Sequence, residues 1–292
     1  MSLPPSEIPL GAMRFNSDTQ KLEYCTGATW MQIHTFSPNF EGGVRGIHGG
    51  GAATTINTIQ FITISTQGNA VEFGDFPQRQ YLVSATSSRT RGIWMGGYTN
   101  SPSFTYINSI QAVEMLSTGN GFDFGDLTQT AGYAGTVGNQ TRAIRLGGTA
   151  PVNPSTNVMD FVTIATTGNA IDYGDIGTGG GMSPNISSPT RGVFSVAYGN
   201  SIDFITIAST GNSQDFGFLT DEGKSLQEPR GACNAVRGIL AGGYRYPQSP
   251  QGETDIIQYL TIASTGNATD FGDTVETVYE GGACSTGHGG LG

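Results

Sequence analysis

The sequence predicts an all-β fold, a five-bladed β-propeller of four-stranded blades, because one unit recurs five times along its 292 residues. Each unit contains Gly-Asn followed by an acid, an aromatic residue and Gly, and an Arg that opens a short Gly-rich apolar run comes before it. The two marks keep the same order in every unit. Units of roughly 40 to 50 residues with several short strands are typical of propeller blades.

The Gly-Asn marks begin at Gly68, Gly119, Gly168, Gly211 and Gly266. The apolar runs open at Arg45, Arg91, Arg142, Arg191 and Arg237. An aspartate ends the mark at Asp75, Asp126, Asp175 and Asp273. Residues that recur in almost every unit are expected to hold blades together, so we predict bidentate pairs between these arginines and aspartates. The fourth unit has Phe218 in place of the aspartate, and Arg191 would then need a substitute such as Asp221.

An apolar strand lies between the two marks, as in Ile59, Phe61, Ile62 and Ile64 of the first unit. Apolar residues point to both of its faces, which predicts a sheet that is covered on both sides. Each unit then has four strands: A of small residues, as in 81–88, B at the Arg run, C at the apolar strand and D at the acid-aromatic-Gly mark. Gly and Asn between C and D predict a tight turn.

The end of the chain predicts how the propeller closes. Gly282–Ser285 repeats the pattern of Gly231–Asn234, which opens the fifth unit, and therefore predicts a spare strand A that completes the first blade. Residues 38–43 are the alternative source of that strand. Either solution would remove an exposed sheet edge.

The first forty residues lie outside the repeat and predict a small β-meander with strands at Ala12–Phe15, Lys21–Tyr24 and Trp30–Ile33. So small a sheet buries too little surface to be stable alone and has to pack on something. We therefore divide the chain into an N-terminal β attachment module, residues 1–40, and a propeller, residues 41–292.

Composition and charge exclude several functional classes. The 13 basic and 23 acidic side chains give a net charge of −10. This net negative charge argues against nucleic-acid binding, which needs a basic surface. No apolar stretch is long enough to span a bilayer. The three cysteines and three histidines form neither a disulfide framework nor a metal or triad pattern, so we expect no cofactor and no metal. Acids that recur in every blade are poor catalytic candidates, since catalysis needs unlike carboxylates.

Loops that differ between units are the expected recognition sites, because the A–B and C–D turns hardly vary. The B–C loops (residues 99–108, 149–157, 199–200 and 245–255) and the D–A loops (residues 177–188 and 220–230) lie at one end of the blades and do vary. Aromatic residues near them that could contact a receptor or partner are Tyr98, Phe104, Tyr106, Tyr244 and Tyr246. Packing within the loops is the alternative role for these side chains.

Two resemblances add a function class. The N-terminal segment resembles a short module of bacteriophage tail-fibre and other virion proteins, at Gly11, Arg14, Phe15, Asn16, Lys21, Leu22, Glu23, Tyr24, Gly27 and Trp30. The repeats resemble kelch-like repeats of marine phage structural proteins, with T-R-G, G-G-Y and S-T-G-N-A-x-D-F-G-D, although Phe or Tyr replaces the usual kelch Trp.

These resemblances imply a non-enzymatic structural protein located in the virion, as a tail fibre, an adhesin or a capsid decoration protein. Residues 1–40 would dock on other virion proteins, with Arg14, Phe15, Tyr24 and Trp30 as candidate contacts. The propeller would face outward, toward a host-surface glycan or protein. Assembly of several copies into a homo-oligomer is compatible with this interpretation. The alternatives are a glycan-active enzyme on a propeller, similar to glycoside hydrolases, and a bacterial surface-binding module of phage origin.

Overall fold

The computed structural model describes residues 8–16, 21–32, 45–51, 57–64, 67–100, 103–153, 155–177, 180, 185–195, 199–219, 226–227, 229–245 and 252–277. Within these ranges the secondary structure consists of β-strands and no helix, so the predicted all-β class is confirmed. Accordingly, this part of the chain holds no helix that could cross a membrane. The chain forms two compact units, residues 1–41 and 42–292, which are described separately.

The N-terminal unit contains a three-stranded antiparallel meander of β1 (Met13–Asn16), β2 (Lys21–Cys25) and β3 (Trp30–Gln32) in the order β1-β2-β3. Met13 lies opposite Tyr24, and Cys25 lies opposite Trp30. The predicted meander is therefore present, with each strand within two residues of its expected bounds. Side chains alternate between the two faces of the sheet, as in any β-strand.

The second unit contains five sheets that carry the repeat, named here the first to fifth repeat sheets. The first consists of β4 (Arg45–Gly49), β5 (Thr58–Thr63) and β6 (Val71–Asp75). The second consists of β7 (Ser84–Ser87), β8 (Arg91–Met95), β11 (Ser109–Glu114) and β12 (Phe122–Asp126), and the hairpin of β9 (Tyr98–Thr99) and β10 (Thr105–Tyr106) lies between β8 and β11 in the chain. The third consists of β13 (Gly135–Gly138), β14 (Arg142–Leu146), β15 (Val158–Thr163) and β16 (Ile171–Asp175).

The fourth repeat sheet consists of β17 (Asn185–Ser187), β18 (Arg191–Ser195), β19 (Ser201–Thr206) and β20 (Gln214–Phe218). The fifth consists of β22 (Arg230–Cys233), β23 (Arg237–Ala241), β26 (Ile256–Thr261) and β27 (Thr269–Asp273). Its loops form a further small sheet of β21 (Leu226–Gln227), β24 (Tyr244–Arg245) and β25 (Gly252–Glu253). All pairings are antiparallel, and the strands of each repeat sheet follow one another as predicted.

The hydrophobic core lies between neighbouring repeat sheets. Ile93 and Ile110 of the second sheet pack with Val162 and Ile164 of the third, and all four side chains are buried. This is the two-sided burial that the apolar C strands predict. Strands β7, β13, β17 and β22 contact one another in sequence, so strand A is the innermost strand of the second to fifth repeat sheets.

The first repeat sheet has three described strands, and β4 pairs with β5 alone among the described residues. The two segments that the sequence offers as its fourth strand, Gly282–Ser285 and residues 38–43, lie outside the described residues.

Candidate functional site

The recurring arginines join neighbouring repeat sheets through main-chain carbonyls. The Nη1 atoms donate from Arg45 to Met115 O (2.9 Å), from Arg91 to Ile164 O (2.7 Å), from Arg142 to Ile207 O (2.9 Å) and from Arg191 to Ile262 O (3.1 Å). Each accepting residue follows the last residue of a C strand, so its carbonyl lies outside the ladder and needs another donor. The prediction that these arginines pair with the recurring aspartates is wrong, because each guanidinium donates its hydrogen bond to this main-chain carbonyl instead.

Aromatic rings of the arginines' own sheets hold the guanidinium groups in place. The Cζ atom of Arg142 lies 4.5 Å from the ring centroid of Phe161, and that of Arg191 lies 4.6 Å from the ring of Phe204. A cation above an aromatic face is attracted by the ring quadrupole. The repeat therefore uses Arg as a bridge between sheets, in the structural role that its recurrence predicts. Asp221, the proposed substitute partner of Arg191, lies outside the described residues.

The recurring aspartates contribute main-chain atoms to a second contact between sheets, here called the junction clamp. At the junction of the second and third sheets, Gly168 N donates to Phe124 O (2.8 Å) and Ala170 N donates to Asp126 O (2.7 Å). In return, the Asp126 N–H donates to Asn169 Oδ1 (3.1 Å). The same three bonds join the first sheet to the second, the third to the fourth and the fourth to the fifth.

The junction clamp explains the exception in the fourth unit. Phe218 replaces the aspartate, yet its N–H donates to Asn267 Oδ1 (3.1 Å) and its carbonyl accepts from Ala268 N (2.8 Å). A side chain is not needed for either bond. The sequence predicted Asn as a turn residue and missed this contact, because pairing between units cannot be read from one unit alone. Arg237 and Asp273 belong to the fifth sheet, where no following sheet engages them within the described residues.

Three of the predicted contact residues come together in one aromatic cluster, formed by Tyr81, Tyr98, Phe104, Tyr106 and Tyr133. The Tyr98 ring is its centre, with centroids 5.0 Å from Phe104 and 4.2 Å from Tyr106. Tyr98 is buried, its hydroxyl lies 3.0 Å from Thr149 Oγ1, and burial raises its pKa above the ordinary tyrosine value. Phe104 is 61% exposed. The buried Tyr98 ring therefore supports Phe104, whose exposed ring is the surface that a partner could contact.

The loops that carry the cluster meet where the sequence places them, at one end of the sheets. Tyr81, from a D–A loop, and Tyr98, at the start of a B–C loop, exchange two main-chain hydrogen bonds of 2.9 Å. Tyr133, from the next D–A loop, lies edge-on to Tyr98 at 5.8 Å between centroids. The sequence places Tyr81 at the start of strand A, but β7 begins at Ser84, so Tyr81 lies in the D–A loop. Neither Tyr81 nor Tyr133 was predicted as a contact residue, although both lie beside the predicted site.

The main chain at Tyr133 is strained. Leu82 and Tyr133 have φ of 51°, and among the described residues they are the non-glycine residues with positive φ. This left-handed region is costly for a residue with a large side chain and is frequent at functional sites. At Tyr133 the strain presents a half-exposed ring beside Tyr98.

The other two predicted contacts are Tyr244 and Tyr246 of the fifth unit. Tyr244 lies in β24, which pairs with β21 and β25 in the loops of the fifth repeat sheet. Tyr246 lies outside the described residues.

The N-terminal unit has two chemically different faces. On one, the Arg14 Nε donates to Glu23 Oε2 (2.8 Å), Asn16 Nδ2 donates to Glu23 Oε1 (3.0 Å), and Arg14 stacks over the Trp30 ring at 4.2 Å. The hydrogen bonds from Asn16 and Arg14 hold the pKa of Glu23 below its usual range. The polar groups of these side chains therefore have their hydrogen-bond and cation–π partners within the module. Two predicted docking residues, Arg14 and Trp30, are therefore part of the internal framework of the module.

The opposite face is apolar and exposed. It carries Met13, Phe15, Leu22, Tyr24 and Met31. Phe15 is 65% exposed. The two other predicted docking residues, Phe15 and Tyr24, lie on this apolar face, together with Met13, Leu22 and Met31, which were not predicted as docking residues. Contiguous exposed apolar side chains mark protein or membrane contacts.

A central cavity of about 320 Å³ lies among the innermost strands. All five repeat sheets contribute to its lining, through Arg45, Thr86, Thr136, Ser187 and Cys233. The described lining offers hydroxyls, a thiol and one guanidinium, and no carboxylate. Cys233 and Cys25 are buried thiols that form no disulfide within the described residues, and that part of the chain contains no cluster of metal-ligating side chains.

Buried carboxylates occur instead at one repeated position of the C strands. Asp160 of β15 pairs with the Arg145 guanidinium and accepts a hydrogen bond from the Thr128 hydroxyl. Asp203 of β19 has Phe194 as its cross-strand neighbour, and burial raises its pKa, although a hydrogen bond from the Ser213 hydroxyl opposes this. Neither carboxylate lines the central cavity.

The sequence matches no protein-family model and no curated protein. The fold is similar to a solved structure titled "Structure of YjhT", with a TM-score of 0.67 over 82% of this chain and 84% of that chain, at 8% identity. At this identity the likeness concerns the fold alone. The chain is therefore an all-β protein of antiparallel sheets, many of them four-stranded, in a propeller-like arrangement.

Proposed function

We propose that this chain is a non-enzymatic structural protein of a bacteriophage particle, in which residues 1–40 dock on other virion proteins and a five-bladed kelch-like propeller, residues 41–292, faces outward. The observation that carries the proposal is the apolar face of the N-terminal unit. Its opposite face is closed by the Arg14–Glu23–Trp30 network, so the apolar face is the one left for a partner.

The apolar face has the chemistry of a protein contact. Met13, Phe15, Leu22, Tyr24 and Met31 follow one another across three strands without a charged residue between them. Burying a large apolar side chain contributes about 1.5–3 kcal/mol, so five of them would provide a substantial part of a stable attachment. The interface core of protein complexes is depleted in charge and enriched in aromatic residues and Met in the same way.

Five blades and a kelch-like repeat fit the sheets that carry the repeat. Five sheets bear the Arg and Gly-Asn marks, and each contributes a residue to the central cavity. The Gly-Gly pairs that end the B strands resemble kelch, and they have a physical cause. A Cβ atom at Gly96 would stand 2.4 Å from the Ala131 carbonyl oxygen, which excludes any larger residue there.

The aromatic cluster favours host-surface recognition over simple particle decoration as the role of the propeller. Phe104 and Tyr133 expose ring surface beside the buried Tyr98, and exposed rings of this kind can stack on sugars or fill a protein interface. A decoration protein would not need this surface. A host-surface glycan or protein is accordingly the partner we propose for this end of the propeller.

The alternatives require other features. A glycan-active enzyme needs two carboxylates about 5–9.5 Å apart in a cleft open to substrate. Asp160 and Asp203 are buried between sheets, and one of them is neutralised by Arg145, so neither has the access that this role demands. A bacterial surface-binding module of phage origin would keep the aromatic cluster but would have no particle to attach to.

Immunogold labelling of phage particles with antibodies against residues 41–292 tests the proposal. We expect labels on the particle surface, and loss of the label when the N-terminal apolar face is altered by Phe15→Glu. Val152→Glu is the matched control, because Val152 is 96% exposed and lies in a loop of the propeller. The proposal fails if purified particles lack the protein, or if Phe15→Glu protein is incorporated as efficiently as the control.

A further inference from the structure

The junction clamp between the first and second repeat sheets contains the one Asn-Gly dipeptide of the sequence, Asn120-Gly121. An asparagine before glycine is the most prone to spontaneous deamidation, because a residue without a side chain leaves the following main-chain nitrogen free to approach the Asn side chain. The asparagines at this position of the other units precede Ala or Ser: Asn69, Asn169, Asn212 and Asn267. The first junction therefore differs from the others in its chemistry.

Phe76 is the physical reason why glycine follows Asn120. A Cβ atom at Gly121 would stand 2.9 Å from the Phe76 ring. The ring has little room to move aside, because it is 2% exposed and packs against Trp94 with 5.0 Å between centroids. At the next junction the smaller Leu127 takes the place of Phe76, and Ala170 takes the place of Gly121. The Asn-Gly dipeptide is thus a consequence of the large ring at this junction.

The clamp holds the dipeptide in an unreactive arrangement. Gly121 N donates to Asp75 O (2.9 Å), and Asp75 N donates to Asn120 Oδ1 (3.1 Å). Deamidation requires the Gly121 nitrogen to lose its proton and attack the side-chain carbonyl carbon of Asn120, so both groups have to leave Asp75 first. Asn120 is exposed and lies between β11 and β12, so water can reach it. Local opening of the clamp therefore controls the reaction.

We infer that Asn120 is a site of spontaneous deamidation, that opening of the first junction clamp sets its rate, and that one of the two products prevents the clamp from closing again. Gly121 N forms a bond to Asn120 Cγ, and the Cγ–Nδ2 bond breaks and releases ammonia. Water then opens the succinimide ring. Cleavage between the nitrogen and Cγ gives aspartate, and cleavage between the nitrogen and the main-chain carbonyl carbon gives isoaspartate. Water is the only co-reactant, and the inference is independent of the proposed function.

The two products affect the clamp differently. Aspartate keeps an oxygen acceptor for Asp75 N and leaves the spacing of the main chain unchanged, so the clamp can form again. Isoaspartate inserts a methylene group into the main chain before Gly121 N, which moves this N–H out of register with Asp75 O. Formation of isoaspartate is therefore an irreversible, time-dependent release of the contact between the first two repeat sheets.

Peptide mapping by mass spectrometry, after incubation of the intact protein in isotopically labelled water at neutral pH, tests the site. A synthetic peptide of residues 117–124 gives the rate without a clamp. We expect Asn120 to convert roughly tenfold to thousandfold more slowly than in the peptide, since each of the three clamp bonds contributes up to about a factor of ten. The asparagines of the other four units should stay intact. Conversion as fast as in the peptide, or preferential conversion of another clamp asparagine, overturns the inference.

Opening single clamps by substitution tests the control of the rate. In Gly74→Ala the new Cβ would collide with the carbonyl oxygen of the facing Gly-Asn turn, so the first clamp should open and Asn120 should react nearly as fast as in the peptide. Gly125→Ala makes the same collision at the second junction and is the matched control. It should leave the rate at Asn120 near that of the parent, and Asn169 should stay intact because alanine follows it. Equal rates at Asn120 in the two variants contradict control by the first clamp.

A compensated variant keeps the inference testable if Gly74→Ala does not fold. Phe76→Leu/Gly121→Ala copies the Leu127–Ala170 pair of the next junction, so it should fold, retain the clamp and abolish conversion of Asn120. Undiminished conversion would overturn the role of the Asn-Gly dipeptide.

Hydrogen exchange of the separated isoaspartate form tests the release of the contact. The Gly119 amide, which donates to Phe73 O in the closed clamp, should exchange faster in this form than in unreacted protein. The variant Asn120→Asp represents the other product and should keep the protection of this amide. An isoaspartate form with full protection at Gly119 would contradict the release.

Discussion

The Arg145 guanidinium donates to the Asp160 carboxylate across two neighbouring strands, with Nε 2.9 Å from Oδ2, and both side chains are fully buried. The position of Asp160 is held by Gln60, Gln111, Asp203 and Gln258 in the other repeat sheets. Only the third sheet places an arginine opposite this position. The ion pair is therefore a local feature of one sheet and not a component of the repeat.

Removing the charge of Asp160 alone should destabilise the protein strongly. Asp160→Asn leaves the Arg145 cation buried without a counter-ion, which costs about 3–5 kcal/mol in unfolding free energy. Urea unfolding followed by circular dichroism measures the difference. The double variant Arg145→Leu/Asp160→Gln copies the Leu240–Gln258 pair of the fifth sheet and should recover most of the loss. A single variant as stable as the parent would show that the pair is not buried in solution.

Asp203 should make stability fall as pH rises. Burial raises its pKa in the folded protein, so the unfolded chain ionises first, near the ordinary aspartate pKa of about 3.9. Below that value both states are protonated and Asp203 contributes nothing. Between the unfolded and folded pKa values the stability decreases with pH, and the penalty then stays constant. Asp203→Asn removes the penalty, so its stability relative to the parent should increase from pH 3 to 7 in denaturant titrations. A constant or decreasing difference would contradict this.

The sequence predicted the all-β class and the order of the strands well because the repeat samples the same environment five times. Strand order, the two-sided burial of the C strands and the shared end of the variable loops all follow from one unit. The Arg–Asp pairing was wrong for an instructive reason. Recurrence of Arg142 and Asp126 shows that each has a constant environment, but not that they contact each other. Their actual partners, Ile207 O and Asn169, belong to the next sheet, and only the three-dimensional stacking reveals them.

The aromatic cluster was only partly predictable. Tyr98, Phe104 and Tyr106 stand close together in the sequence, whereas Tyr133 joins them from the next D–A loop through a left-handed backbone that its sequence does not mark. On the N-terminal module, alternation separates Arg14 from Phe15, but which face is covered depends on the Glu23 and Trp30 contacts. Pair contacts across sheets and unusual backbone angles are the parts that periodicity does not encode.

Close approach at the junctions should make one glycine of each clamp irreplaceable. In Gly125→Ala the new Cβ would stand 2.3 Å from the Gly168 carbonyl oxygen, so the two sheets would have to separate. We expect a loss of at least about 3 kcal/mol, at the upper end of single substitutions. Gly168→Ala is the matched control, because φ is similar (156° against 151°) and nothing lies near its Cβ. It should cost about 1–3 kcal/mol through backbone strain alone. Equal losses in the two variants would refute the close approach.

The arginine bridge and the aspartate should differ in energetic weight. Arg142→Ala removes a charged donor from the Ile207 carbonyl and a cation from the Phe161 ring, which should cost about 2–3 kcal/mol. Arg142→Lys should recover part of this. Asp126→Ala keeps the two clamp bonds that residue 126 makes through its own N–H and carbonyl. It should therefore change the unfolding free energy by no more than about 0.5 kcal/mol. Thermal and urea unfolding distinguish this ranking from an Arg–Asp pairing, in which both residues would matter equally.

Phe104 should affect binding more than folding. Its side chain is 61% exposed and contacts the cluster through Tyr98, so Phe104→Ala should lower the unfolding free energy by at most about 1 kcal/mol. If the cluster recognises the host surface, the same variant should weaken binding to isolated host envelopes at least about tenfold, since truncating an interfacial aromatic anchor typically costs 2 kcal/mol or more. Tyr98→Phe is the paired control. It removes only the hydroxyl that contacts Thr149, so it should reduce stability by about 1 kcal/mol and retain binding. Binding that survives Phe104→Ala would assign the cluster to loop packing and leave particle decoration as the role of the propeller.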